Sequence, residues 1–253
     1  MSTPSGRTIV IDNEDIYCEE RGSGAPLLLL HGLTGTSGDW GHVFDLGSLG
    51  ARYRMIAPDA RGHGRSTNRS NAFTFRRCAL DVLALLDHLG IERVRAVGMS
   101  LGAKTLLHVA TLAPSRIERM ILVSGTPRFP EATRALFRAA AEAPHSPEEW
   151  AQMRAQHVQG DAQIAALWKL PAAFAAAADD MAFSAEQLAV IRAPTLVVAG
   201  DRDPLYPIEL AVELYRGIRG SSLWVVPQGG HGPIFNEQRD GFERRALAFL
   251  STP

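Results

Sequence analysis

The chain has 253 residues, which suits one large α/β domain or one domain carrying an insertion. Its 46% hydrophobic and 21% charged residues are ordinary for a globular protein with a full core, and exclude a disordered chain. A net charge of −1 gives no electrostatic attraction to nucleic acid or to an anionic membrane, so neither is expected as a partner.

Residues 1–6 are small and polar and lack a basic-then-apolar leader, and no run approaches the ~18 apolar residues of a membrane helix. Cys18 and Cys78 lie far apart without metal-ligand spacing, which suits free thiols in a reducing compartment. A cytoplasmic location is the expectation. Lysine occurs only at 104 and 169 while arginine and alanine abound, a bias of GC-rich bacterial genomes.

In chain order, strands are predicted at 8–11 and 16–21, paired as a hairpin, then at 27–30. A helix follows near 39–44 and a strand at 53–57. The helix at 75–89 is well marked: Leu80, Leu83, Ala84, Leu86 and Leu89 form a stripe of helical period, and Gly90 stops it. Next come a strand at 94–98, a helix at 101–112 and a strand at 118–123. From residue 27 this β-α-β rhythm implies a mostly parallel sheet with helices on both faces.

The rhythm breaks between Thr126-Pro127 and Ala193-Pro194. Alanine-rich helical stretches at 131–142, 147–157, 161–169 and 172–178 are interrupted by Pro144, Pro147, Gly160 and Pro171. Trp150, Met153, Trp168, Phe174, Met181 and Phe183 give them apolar faces. The expected organisation is a core of residues 1–126 and 186–253 with a helical cap over 127–185. Such a cap would hang over the sheet edge where ligands of open α/β sheets bind. The competing reading is a helical layer that only extends the core. Strands at 195–200 and 222–226 and helices at 207–216 and 238–250 complete the pattern.

The most informative stretch is Gly98-Met99-Ser100-Leu101-Gly102, between the apolar run Val94-Arg95-Ala96-Val97 and a helical segment. A serine between two glycines at a strand-to-helix corner is a nucleophile elbow, with the hydroxyl raised above the sheet edge. The helix N-terminus behind it points N–H groups at developing negative charge. His31-Gly32 follows Leu27-Leu28-Leu29-Leu30, and Asp203 and His231 each sit in a loop after an apolar run.

On these residues the chain resembles the α/β-hydrolase superfamily, in particular its esterase-like and lactonase-like members with a helical cap. The resemblance spans essentially the whole chain. It rests on His31-Gly32-Leu33, Asp59 to Ser66, Gly98 to Gly102, Gly200-Asp201-Arg202-Asp203-Pro204 and Gly229-Gly230-His231-Gly232, all in order at suitable spacings. It implies an α/β-hydrolase fold and a triad in the order Ser100, Asp203, His231. Ser100 would be the nucleophile, activated by His231 as base, with Asp203 fixing the imidazole tautomer. Asp201 is the rival acid; in the family the second acid of this turn orients the histidine and the first holds the turn. The position after the preceding strand, Ser124-Gly125-Thr126, carries no carboxylate. Backbone N–H groups of Leu33 and Leu101 would form the oxyanion hole. His31 would hold its loop, and in Asp59 to Ser66 the resemblance implies structure, with Arg61 pinning backbone.

Met99, Lys104 and Trp168 are the candidate substrate contacts. Lys104 lies one helical turn after Ser100 and shares its face, within reach of an anionic substrate group. Its competing reading is a solvated lysine on the helix flank. The expected function is hydrolysis of an ester or lactone through an acyl-enzyme, without metal or organic cofactor, on a small molecule with an apolar acyl or aryl part. Carbon–carbon bond hydrolysis or a lyase reaction with the same triad is the alternative, since one fold hosts several chemistries. The glycine- and proline-rich oxyanion loop of ring-cleavage hydrolases is absent, His31-Gly32-Leu33-Thr34-Gly35-Thr36 standing in its place. Further readings are peroxide-driven halogenation as a side activity and a small-molecule receptor that keeps the triad.

Overall fold

The computed structural model describes residues 5–177 and 179–252. One sheet contains β1 (Ser5–Ile11), β2 (Glu14–Arg21), β3 (Ala25–Leu30), β4 (Tyr53–Pro58), β5 (Val94–Met99), β6 (Ile117–Val123), β7 (Thr195–Gly200) and β8 (Ser221–Val226). Their order is β1-β2-β4-β3-β5-β6-β7-β8. The β1–β2 hairpin is antiparallel and turns at Asp12 and Asn13, both at positive φ as a tight hairpin turn requires. β2 also runs antiparallel to β4, and every later pairing is parallel.

Parallel strands covered on both faces read as continuous apolar runs. The four leucines of β3 show how the run divides. Leu28 and Leu30 pack on one face with residues of α2 (Phe75–His88) and α3 (Leu101–Leu112). Leu27 and Leu29 pack on the other with Trp40, Phe44 and residues of α9 (Arg239–Ser251). α1 (Leu46–Gly50) contributes Leu49 to the second face, and α8 (Ile208–Gly217) contributes Leu210 and Leu214 to the first.

Between β6 and β7 lie α4 (Glu131–Glu142), α5 (Pro147–Gln156), α6 (Asp161–Ala176) and α7 (Ala185–Ala189). The two helices predicted at 161–169 and 172–178 are one helix, α6, which runs through Pro171; residue 178 lies outside the described residues. Proline removes one helical hydrogen bond, but Pro171 is buried and the halves it joins are both held by packing, through Leu167 and Phe174. The helix predicted near 39–44 is a 3-10 helix at Ser37–His42, followed by α1, which Asp45 caps by accepting from the Gly47 and Ser48 N–H groups. α7, too short for a periodic signal, starts at Ser184 in a reciprocal cap with Gln187.

The helical segment between β6 and β7 is fastened to the core through polar groups. His157 Nδ1 accepts from Gly64 N–H at 2.8 Å, which leaves Nε2–H to donate to the Thr34 carbonyl at 3.0 Å. Gln163 donates to the Gly62 and Ser66 carbonyls. Asp180 accepts from the Phe75 and Arg76 N–H groups at the start of α2.

The glycines of the β5–α3 corner set how close α3 comes to the sheet. A Cβ on Gly102 would stand 2.1 Å from the Leu30 carbonyl oxygen, and one on Gly98 would meet Gly102 backbone at 2.5 Å. Gly241, inside α9, has nothing within 4 Å of that point. Gly102→Ala is therefore expected to destabilise by about 1–3 kcal/mol or more through forced overpacking. Gly241→Ala should stabilise by about 0.5–1 kcal/mol through lost unfolded-state freedom. Thermal melts of the two variants, expected to move in opposite directions, check the assignment.

Candidate active site

Ser100 follows β5 and precedes α3 with φ 51° and ψ −101°, a left-handed conformation that strains any residue but glycine. The corner is held by Ser100 N–H donating to the Val123 carbonyl at 2.8 Å and Gly102 N–H donating to the His31 carbonyl at 3.0 Å. The strain therefore rests on two neighbouring parallel strands, and the hydroxyl projects beyond the sheet edge.

The loop after β8 brings His231 to that hydroxyl. Gly232, at φ 75°, turns the loop, and its N–H donates to Ser124 Oγ at 3.0 Å. His231 Nε2 lies 2.8 Å from Ser100 Oγ, and Nδ1 lies 2.8 Å from Asp203 Oδ2. A carboxylate only accepts, so Nδ1 carries the ring proton and Nε2 is free to accept from the serine. The other Asp203 oxygen accepts from the Leu205 and Tyr206 N–H groups at 2.8 and 3.2 Å, which fixes the carboxylate. Its side chain is 2% exposed.

Asp201 is exposed and makes no side-chain hydrogen bond or ion pair among the described residues. The turn-holding role implied for it is carried instead by backbone: Arg202 N–H donates to the Gly229 carbonyl and Asp203 N–H to that of Gly200.

Leu33 and Leu101 both line the cavity at Ser100, and neither N–H has a protein acceptor among the described residues. His31 is bound on both ring nitrogens, accepting from Ala60 N–H through Nε2 and donating to the Gly32 carbonyl through Nδ1. Asp59 receives the N–H groups of Ser37 and Arg65. Arg61 also contacts the Ala72 carbonyl, but its main partner is a side chain, the carboxylate of Asp81, gripped by two bonds of 2.6 and 2.7 Å. None of these three side chains is left with a free group for chemistry at Ser100.

The cavity beside Ser100 has a volume of about 460 Å³. Leu33, Met99 and Lys104 line it from the core, and Phe137, Gln156 and Phe174 from the helices above. Met99 is thus where the sequence placed it. Trp168 is not: it stacks on His145 at 3.6 Å between ring centroids, edge-on to Trp150 at 4.6 Å, beside a small cluster of Met153, Ile164 and Leu167. Six residues separate Trp168 from Phe174, so on one continuous helix they face directions about 120° apart. Phe137 and Gln156 escaped the sequence reading because nothing local shows which side of an alanine-rich helix faces a cavity. Tyr206 lay three residues past Asp203, a spacing that could have flagged it.

Lys104 is not a solvated flank residue. It is 2% exposed, because α3 is enclosed along nearly its whole circumference. Its Nζ donates to Tyr206 Oη at 3.0 Å and reaches Ser100 Oγ at 3.5 Å. The rings of Tyr206, Phe75 and Phe129 stand 4.9, 5.4 and 5.7 Å from it. Burial pulls its pKa down from 10.5 to about 7, against the opposing pull of the Asp203 carboxylate. Burial also pushes the Tyr206 phenol well above its ordinary range, so it stays neutral.

A profile of the alpha/beta hydrolase family matches residues 27–245. The chain belongs to the alpha/beta hydrolase family and is a hydrolase of that family. It is 29% identical to a 2-hydroxy-6-oxo-6-phenylhexa-2,4-dienoate hydrolase of Comamonas testosteroni, over 93% of this chain and 91% of that one. Among solved structures it resembles a hydrolase from Pseudomonas aeruginosa PA01, with TM-score 0.78, 26% identity and 98% of each chain covered. It also resembles Est816, described as an N-acyl homoserine lactone degrading enzyme, with TM-score 0.73 and 27% identity over 96% of this chain and all of that one. No helix among the described residues of this alpha/beta hydrolase is long and apolar enough to cross a membrane.

The buried lysine makes a stability prediction whose sign follows from its pKa. Below pH 7 the ammonium is charged in folded and unfolded chains alike, and the folded chain carries the full desolvation penalty. Between pH 7 and the ordinary lysine value of ~10.4 the folded chain sheds the proton first, so the penalty fades as pH rises. Lys104→Met should therefore stabilise the fold by on the order of 1–3 kcal/mol at pH 6. That gain should shrink toward pH 9, as paired melts at the two pH values would read out.

Proposed function

We propose that the chain hydrolyses a carboxylic ester or lactone through an acyl-enzyme on Ser100. The observation that carries this reading is the chain of 2.8 Å contacts from Ser100 Oγ through the His231 ring to Asp203, beside two unpaired amides. Ser100 Oγ attacks the scissile carbonyl as His231 Nε2 takes its proton. Asp203 holds the Nδ1–H tautomer and stabilises the imidazolium. The Leu33 and Leu101 N–H groups receive the oxyanion. His231 then protonates the leaving alcohol, and water activated by the same ring releases the acid.

Residues 127–185 act in this reading as a lid that sets which acyl groups enter. The lining by Phe137 and Phe174 supports an apolar acyl or aryl part. The likeness to the lactone-degrading Est816 supports the ester and lactone class. Carbon–carbon bond hydrolysis is the second reading, favoured by the likeness to the dienoate hydrolase of Comamonas testosteroni. A panel of aryl esters, lactones and vinylogous diketones, run with wild type and Ser100→Ala, separates the two by which bond is cleaved.

Ser100→Ala should lose about 10⁶ in kcat while melting like wild type. Asp203→Asn should lose ~10⁴ by favouring the wrong imidazole tautomer. Asp201→Asn, at an exposed side chain without partners, should stay within a few-fold of wild type. Retention of a tenth of the activity by Ser100→Ala, or the reverse order of the two aspartates, would refute the assignment.

The place of Trp168 generates a second expectation. Trp168→Ala should lower stability, by about 3 kcal/mol if its site collapses poorly, and leave the ranking of acyl chain lengths unchanged. Phe174→Ala, which removes a ring that lines the cavity and packs on Phe75, should also lower stability but in addition widen the cavity and move the preference toward bulkier acyl groups. Chain-length profiles beside thermal melts distinguish them.

A further inference from the structure

Lys104 is a buried charged group of the cavity that ester hydrolysis by Ser100, His231 and Asp203 does not use. An ammonium buried beside three aromatic rings ordinarily needs a carboxylate, and this one has none bonded to it among the described residues. The oxygens of Asp203 are committed to His231 and to the Leu205 and Tyr206 N–H groups. Asp39, the one carboxylate among the described residues that line the cavity, accepts from Thr36 N–H in its own turn.

The donor inventory points the same way. Tyr206 Oη accepts from Lys104, and its own O–H has no acceptor among the described residues. The ammonium has three N–H groups and two acceptors, one of them the long contact to Ser100 at 3.5 Å. An N–H and an O–H, both buried and both without a protein acceptor, thus stand side by side at the nucleophile. No arginine among the described residues lines the cavity, so no planar fork is offered there to a phosphate.

We propose that Lys104 and Tyr206 form an anion site, and that the substrate is the ester or lactone of a short acyl group bearing a carboxylate. This rests on the hydrolytic reading above and names its substrate class. Charge-assisted contacts of ~2.8 Å put such a carboxylate within about 6 Å of Ser100 Oγ, the reach of two or three methylenes from the scissile carbonyl. Phe137 and Phe174 then cover the chain between the two ends. Around the ammonium stand Ser100 from the β5–α3 corner, Asp203 and Tyr206 from the loop after β7, His231 from the loop after β8, and the Phe75 and Phe129 rings. An arriving carboxylate supplies the missing counter-charge and raises the lysine pKa above 7, so binding at pH 8 takes up a proton.

The test pairs monomethyl succinate with methyl butyrate, which match in length and differ in charge. Calorimetry on Ser100→Ala should find monomethyl succinate bound at least tenfold more tightly at pH 6.5. At pH 8 the heat should depend on buffer ionisation with the sign of proton uptake. Lys104→Met in the same background should abolish the preference, and Tyr206→Phe should weaken it several-fold, which keeps the test open if one variant misfolds. In the Ser100 enzyme, Lys104→Met should lower the ratio of kcat/KM for monomethyl succinate over methyl butyrate at least tenfold. Equal binding of the two esters, a preference that survives Lys104→Met, or an unchanged kcat/KM ratio would overturn the proposal. A preference in binding without hydrolysis of either ester by wild type would sink the hydrolytic reading and leave the anion site standing. Hydrolysis of both without preference would do the reverse.

Discussion

The close approach of α3 to β3 is the constraint on which the site depends. Gly102 N–H reaches the His31 carbonyl only because no Cβ stands between α3 and Leu30. That approach bends the chain so sharply at Ser100 that a non-glycine residue is held at positive φ. A strain of order 1–3 kcal/mol persists only where the surroundings over-determine it. Here they are the hydrogen bonds to β6 and to the end of β3, two strands flanking β5 in a buried parallel sheet. The same bend brings Ser100 and Leu101 to one cavity, which Leu33, two residues past the bonded His31 carbonyl, also lines. Sheet order, glycine placement and donor geometry are thus one constraint expressed three times.

Much of this was legible in the sequence because it is written in local patterns. Every predicted strand exists, with bounds shifted by a few residues; those from β3 on are marked by the near-continuous apolar runs that buried parallel strands leave. Ser100, Asp203 and His231 meet in space because each sits at the C-terminal end of a parallel strand, and those ends share one edge. Loop identity and sheet direction therefore brought them together without any contact information.

What the sequence hid is what depends on packing between elements. Pro171 looked like a boundary because proline opposes helix continuation, yet tertiary contacts on either side carry α6 across it. Joining those segments fixed the phase of the helix, and the phase turned Trp168 away from the cavity while Phe174 entered it. The competing reading of Lys104 as a solvated flank residue fails for a related reason. The periodicity of a helix shows which residues share a face, and it does not show that a helix is enclosed on every side. A lysine next to Ser100 was therefore open to a solvated reading, where the fold makes it one of the most costly residues in the core.

The helices above the site are joined to the loop after β3 through a neutral imidazole. His157 accepts from Gly64 N–H and donates to the Thr34 carbonyl, so it needs one protonated and one bare nitrogen. Burial and the neighbouring His31 hold its pKa below the ordinary value, which keeps it in that neutral form. Thr34 directly follows Leu33, whose amide faces the cavity, and it sits at positive φ in a turn closed by Gly35 N–H on the Gly32 carbonyl. A single side chain from the helical segment thereby braces the loop that carries one of the two unpaired amides. The same segment supplies Phe137 and Phe174 to the cavity wall. One helical segment thus both braces the loop beside Ser100 and walls the cavity above it.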